Sequence, residues 1–180
     1  VFSLNKIKKY LKDNSDLIVC YGDIIFDKKV FQKIYDSKNK SDIDLISDIN
    51  YKKLWNIRSN NIFDDIETFK VNKGYVTNLG EKITDNSYPE GQFIGLIKIK
   101  HTKLNSFFKI YENLVNINKK NMNMYMTDYL NYLIKKNWKI KEIKVKNGWL
   151  EFDTVVDVKK YNNLYEKNKL NKIINIKKIL

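Results

Sequence analysis

Alanine is absent from this 180-residue chain, and cysteine, proline, histidine and arginine occur once each, as Cys20, Pro89, His101 and Arg58. A single cysteine excludes an intrachain disulfide framework. Cys20 lies in the apolar run Leu17 to Tyr21 and so reads as a reduced core residue. No apolar stretch approaches the ~20 residues needed to span a bilayer, and no signal-peptide pattern is present. The expectation is a cytoplasmic protein without membrane insertion. Glycine is also scarce, with Gly22, Gly74, Gly80, Gly91, Gly95 and Gly148 as its six occurrences. No two of them form a phosphate-cradling loop before a helix.

What is abundant is lysine, asparagine and isoleucine. The formal charge of +13 comes almost wholly from lysines spread along the chain. That pattern resembles a coding bias more than selection for phosphate forks, for which arginine is favoured. The basic surface should attract anionic small molecules, while a nucleic-acid partner is not expected. With 43% apolar and 13% aromatic residues, the chain has a globular composition and a length suited to one domain. The reading is a domain over 1–168 and a basic tail over 169–180.

Spacing predicts the order of elements. Ser3 to Asn14 reads as a helix, with Leu4, Ile7 and Leu11 in register, and Leu17 to Tyr21 as a strand. Lys28 to Ser37 reads as a helix, and "SDIDLISD" as a strand. This alternation argues for an α/β layer with a largely parallel sheet. "ETFKVNKGYVTNLGEK" predicts a β-hairpin turning at Asn72-Lys73-Gly74, and "QFIGLIKIK" a strand. Helices are expected over Thr102–Asn116, Thr127–Lys136 and Thr154–Glu166. The strand "KIKEIKVKNGWLEFD" runs between the last two, and Val155, Val158, Tyr161, Leu164 and Tyr165 form the inward face of the last helix.

Two acidic positions stand out. In "VCYGDIIFD", Asp23 follows an apolar run and is followed by another. A carboxylate inside such a segment needs a pair, a hydrogen bond or a metal. In "GWLEFDTVVD", Asp153 again follows an apolar strand and precedes a helix, and Glu151 points to the same face two residues earlier. Two strands ending in carboxylates at one sheet edge would hold a hard cation such as Mg²⁺ beside phosphate oxygens. Alternatively, Asp153 or Thr154 serves only as an N-cap. Arg58, the one guanidinium in a lysine-rich chain, points to a bidentate phosphate or carboxylate contact. Its structural rivals are pairs with Asp64, Asp65 or Glu67. His101 opens a helix and reads as a surface or capping residue.

The ordered segments "DLIVCYGDIIF", "DDIETFKV…GYVTNLGEK", "EGQFIGLIKI", "MTDYLNYLI" and "GWLEFDTVVDVKKY" resemble the later two-thirds of the sugar-phosphate nucleotidyltransferase superfamily. The likeness is closest to its phosphocholine and aminoalkylphosphonate cytidylyltransferase-like branch. The resemblance implies a Rossmann-like, glycosyltransferase A-like mixed sheet flanked by helices and incomplete at its N-terminus. It implies Mg²⁺-dependent transfer of a nucleotidyl group from an NTP, CTP foremost, to a phosphate or phosphonate acceptor, with release of pyrophosphate. Asp23 and Asp153 then match the catalytic metal ligands, with Glu151 as an accessory ligand and Gly22 beside the nucleotide. Trp55, Arg58, Glu90, Gln92, Tyr125 and Asp128 become candidates for the acceptor site.

The family's G-x-G-x-R loop has no counterpart here. The chain is therefore expected to be a fragment or one half of a split protein. It would turn over little alone and would need an N-terminal segment or a partner chain. Two other readings remain. One is a glycosyltransferase of related fold, for which Asp42-Ile43-Asp44 is the nearest Asp-x-Asp. The other is an interaction domain that has lost the nucleotide loop.

Overall fold

Isoleucine-rich segments without clear polar alternation belong in the middle of a sheet. The computed structural model, which describes residues 1–11, 14–59, 66–83 and 88–179, places two of them there. Strand β3 (Ile43–Asp48) and strand β6 (Gln92–Ile99) are buried at every position. They pair antiparallel, with Leu45 opposite Ile97 and Asp48 opposite Gln92. Strand β1 (Leu17–Cys20) lines the outer side of β6, and strand β7 (Ile140–Val145) runs parallel to β3. The hairpin of β4 (Glu67–Asn72) and β5 (Tyr75–Lys82) completes a six-stranded sheet in the order β1-β6-β3-β7-β5-β4. Its turn falls where the sequence predicts, with Lys73 and Gly74 both at positive φ.

The sheet is mixed. Among the described pairings only β3 with β7 is parallel, because the hairpin reverses the chain before β6 returns between β1 and β3. The expectation of a largely parallel sheet is thereby corrected. A second, two-stranded ladder joins β2 (Ile24–Phe26) to β8 (Trp149–Glu151) antiparallel. The single strand expected across "KIKEIKVKNGWLEFD" is in fact β7 and β8, split at Asn147 and Gly148, which both take positive φ.

Helices cover both faces of the sheet. On one side, α4 (His101–Ile117) and α5 (Met126–Lys135) pack Phe107, Tyr111, Tyr129 and Leu133 against Ile43, Leu45 and Ile97. On the other, α2 (Lys28–Tyr35), α3 (Lys52–Arg58) and α6 (Val155–Glu166) enclose Ile46, Ile94 and Leu96 with the β2–β8 ladder. Alternation along β3 and β6 thus sorts neighbouring side chains into two cores. A short helix α1 (Phe2–Lys6) stops well before Asn14. Among the described residues no helix is long and apolar enough to cross a membrane.

Two further expectations change. Cys20 is exposed, because among the described residues β1 is an edge strand beside β6. Helix α6 does not bury its valine stripe: Val155, Val158 and Tyr165 face outward while Asp157 and Tyr161 face in. The cause is a capping box, in which Thr154 accepts from the Asp157 amide and the Asp157 carboxylate accepts from the Thr154 amide. This fixes the helix with Asp157 toward Arg58. The basic tail packs down, with Ile173 and Ile174 buried and the Gly148 amide donating to the Ile173 carbonyl at 2.7 Å.

Candidate active site

The β2–β8 ladder assembles the acidic residues. Ile24 stands opposite Glu151, and the Phe152 amide donates to the Asp23 carbonyl at 2.8 Å. Residues 127 and 129 positions apart in sequence therefore become backbone neighbours, through an antiparallel pair and not through parallel strand ends. Asp23 itself is exposed, so it is not a carboxylate trapped in apolar surroundings. Gly22 beside it is also exposed, and a Cβ there would meet nothing within 4 Å, which leaves open space next to Asp23.

Glu151 and Asp153 line a cavity of about 400 Å³ together with Tyr21, Trp55, Gln92, Tyr125 and Asp128. Four of the six predicted acceptor residues thus share one cavity with two of the predicted metal ligands. Glu90 does not: it accepts from the Val71 amide at 3.0 Å and lines an adjoining cavity beside the hairpin. Trp55 is packed edge-on against Tyr51 and tilted against Trp149, whereas Tyr125 is exposed at the start of α5. Gln92 is buried, and among the described residues its Oε1 has no hydrogen-bond partner. Burial, with the carboxylates of Glu67, Asp23 and Glu151 nearby, pushes the Tyr21 hydroxyl well above its usual range. This marks the negative field of the site.

Two further lining residues are not among the candidate site residues that the sequence suggests. Glu67 and Lys82 come from opposite ends of the hairpin strands and pair across it. Lys82 is the cation among the described residues lining the cavity, yet in a chain so rich in lysine nothing singles it out. A larger cavity of about 780 Å³, lined by Lys29, Lys33, Lys53, Lys144, Lys146 and Lys172 among others, opens around Gly148 at the other end of the ladder. It contains none of the groups named for the site.

Arg58 makes carboxylate contacts, one of the two kinds its rarity suggests, with partners distant in sequence. Its side chain is 6% exposed and forms ion pairs with Glu151, Asp153 and Asp157, the last at 3.2 Å. It also lies 5.2 Å from the centre of the Trp55 ring. Burial opposes its charge, but Glu151 and Asp153 prevail and raise its pKa. The local partners Asp64 and Asp65 lie outside the described residues. His101 takes the bland role expected of it, its amide and ring nitrogen meeting Asp16 at 2.9 and 3.2 Å.

The Asp-x-Asp at positions 42–44 is engaged elsewhere. Asp44 is fully buried and accepts from Ser37, Asn39 and Ser41, while Asp42 caps the Lys139 amide and pairs with Lys103. These are structural bonds at the start of β3, away from the cavity.

The donor set fits a hard divalent cation in chemistry. Among the described residues no three carboxylates, histidines or cysteines are grouped as a ready metal cluster. Mg²⁺, however, is commonly held by one or two carboxylates with substrate phosphates supplying the rest. Glu151 and Asp153 line the cavity, and Asp23 joins the same ladder through its backbone carbonyl.

No family model matches the chain. In sequence it is 32% identical over 154 residues to a CTP:phosphoglutamine cytidylyltransferase of Campylobacter jejuni subsp. jejuni, covering 83% of this chain and 60% of that protein. The fold matches an inositol-1-phosphate CTP transferase from T. maritima with a TM-score of 0.67 at 15% identity, over 97% of this chain and 63% of the other. It also matches a nucleoside-diphosphate-sugar pyrophosphorylase from Vibrio cholerae RC9 with a TM-score of 0.52 at 13% identity, over 93% and 61%. The chain has the mixed α/β fold of the sugar-phosphate nucleotidyltransferases. Its sequence likeness is to a cytidylyltransferase. It spans 60% of the length of the curated relative it matches.

Proposed function

We propose that this chain forms the metal and acceptor side of a Mg²⁺-dependent cytidylyltransferase, acting on CTP and a small phosphate- or phosphonate-bearing acceptor. One observation carries the reading: the β2–β8 ladder joins the Asp23 backbone to the strand end whose Glu151 and Asp153 line a cavity with aromatic, amide and lysine groups. The similarity to a cytidylyltransferase supports CTP as the nucleotide.

In the reaction an acceptor phosphate oxygen attacks the α-phosphorus of CTP. The new P–O bond forms as the bond to the β-phosphate oxygen breaks, and pyrophosphate leaves. The attacking oxygen is already anionic, so no general base is required. Mg²⁺, held by Asp23 and Asp153 with Glu151 as accessory, would neutralise nucleotide phosphates and stabilise charge during transfer. Lys82 meets the acceptor phosphate. Trp55, Tyr125, Gln92 and Asp128 receive the rest of the acceptor, and the space beside Gly22 admits the nucleotide.

The test is pyrophosphate release from each NTP with phosphocholine, 2-aminoethylphosphonate and sugar 1-phosphates as acceptors. It is run on this chain. CTP should be preferred, and Asp23→Asn or Asp153→Asn should each reduce the rate by at least about a hundredfold, since both remove a charge that faces the transferring group. Full activity in both variants would refute the assignment.

A further inference from the structure

We propose that Arg58 is the resident counter-ion of the metal site, so that its guanidinium and a divalent cation compete for the carboxylates of Glu151 and Asp153. This rests on the reading of Asp23, Glu151 and Asp153 as metal ligands. It adds a residue that this reading does not require.

The three ion pairs of Arg58 are not equivalent. Asp157 is buried and held by the Thr154 capping box, so its pair with Nε ties α3 to α6. The other two pairs use the terminal nitrogens and fall on carboxylates that line the cavity. Burying a guanidinium costs several kcal/mol, and excellent geometry to a single carboxylate can offset it. Three carboxylates exceed that need. Counted over these four side chains alone, one positive and three negative charges leave a surplus of two negative charges. Exposed Asp23 stands across the ladder and adds a third. Such a site favours a further cation, but one seated on Glu151 and Asp153 would stand within a few ångströms of the guanidinium. The like charges repel, and the carboxylate oxygens cannot serve both at full strength.

The outcome of that competition is set by the anchor. Nε remains on Asp157 while the two terminal nitrogens are released over the Trp55 ring. Freed of those carboxylates, they can meet an incoming phosphate oxygen. Arg58 would thus hold the acidic residues in place before the metal arrives and turn to phosphate afterwards.

Because the chain has one arginine, its ¹H–¹⁵N spectrum contains a single Arg Nε–H signal, and no substitution is needed to watch Arg58. Mg²⁺ titrated into the wild-type chain should move that signal along the same isotherm that calorimetry records, and Asp153→Asn should abolish both. Arg58→Met should bind Mn²⁺ more tightly, by on the order of tenfold, while Arg58→Lys, which keeps the charge, stays near wild type. An Arg58 signal that does not move as Mg²⁺ binds, or an Arg58→Met variant with unchanged or weaker Mn²⁺ affinity, overturns the proposal. Absence of divalent binding by both wild type and Arg58→Met would remove the metal reading itself, and the proposal with it.

Discussion

Asp48 supports the site from beneath, and replacing it with alanine should be costly. Its carboxylate is fully buried at the end of β3 and accepts from the Trp149 indole at 2.9 Å, the Asn147 amide at 3.0 Å and the Asn50 amide at 2.8 Å. Asp48→Ala leaves the first two donors buried without partners, while the third, being only partly buried, can find water. Hydrogen bonds to a charged group are worth about 1.5–3 kcal/mol each, so the expected loss from the two stranded donors is about 3–6 kcal/mol. For a domain of this size that is a fall in Tm of about 10 °C. Asp48→Asn keeps an oxygen for the two amides but turns an NH₂ toward the indole, and should cost about 1–2 kcal/mol. Urea denaturation and thermal melts followed by circular dichroism measure both. The near-ultraviolet signal supplies a second readout, because Trp149 is packed at 6.0 Å against Trp55, which lies under Arg58. A loss below about 1 kcal/mol for Asp48→Ala, with the tryptophan signal intact, would refute the claim that this carboxylate organises the ladder.

Gly95→Ala should damage both fold and site. The position has φ of +79°, and its Cβ would come within 2.6 Å of the Tyr21 ring. Strain and displacement together should cost about 2–3 kcal/mol in urea denaturation and lower the affinity for acceptor, since Tyr21 lines the cavity. For acid stability, burial pushes the Asp157 carboxyl up, but bonds from Thr154 and the charge of Arg58 outweigh it, and its pKa lies below the ordinary 3.8. A depressed carboxylate contributes stability that is present above 3.8 and is lost as pH falls through the lower folded value. Asp157→Asn should therefore be less stable than wild type at neutral pH and should show a shallower decline in Tm below about pH 4. An unchanged acid slope would contradict this.

What the sequence reveals about this fold depends on the range of the interaction involved. The hairpin at Asn72–Gly74 is local: positive φ at Lys73 and Gly74, flanked by strand-forming residues, specifies it without help from the rest of the chain. The same holds for the Thr154 cap, which is readable from "DTVVD" alone. The two acidic segments can be paired from their pattern, but not the way they meet. Strand–Asp–helix junctions suggest parallel strand ends, whereas the protein uses an antiparallel ladder that is a separate sheet. Arg58 shows the limit most clearly. Its nearest acidic neighbours in sequence are Asp64, Asp65 and Glu67, and local spacing favours them. The pairs to Glu151, Asp153 and Asp157 span 93 to 99 positions, and they exist because α3 and α6 pack against the same ladder. Helix α3 has only seven residues, too few for periodicity to announce it, so the element that delivers Arg58 is itself silent in the sequence. Lys82 is hidden for the opposite reason, as one lysine among dozens. Rarity made Arg58 conspicuous and abundance hid Lys82, yet neither property shows what a side chain touches. That is decided by which strands close, and here the closing strands are β2, which follows Asp23, and β8, which ends on Glu151.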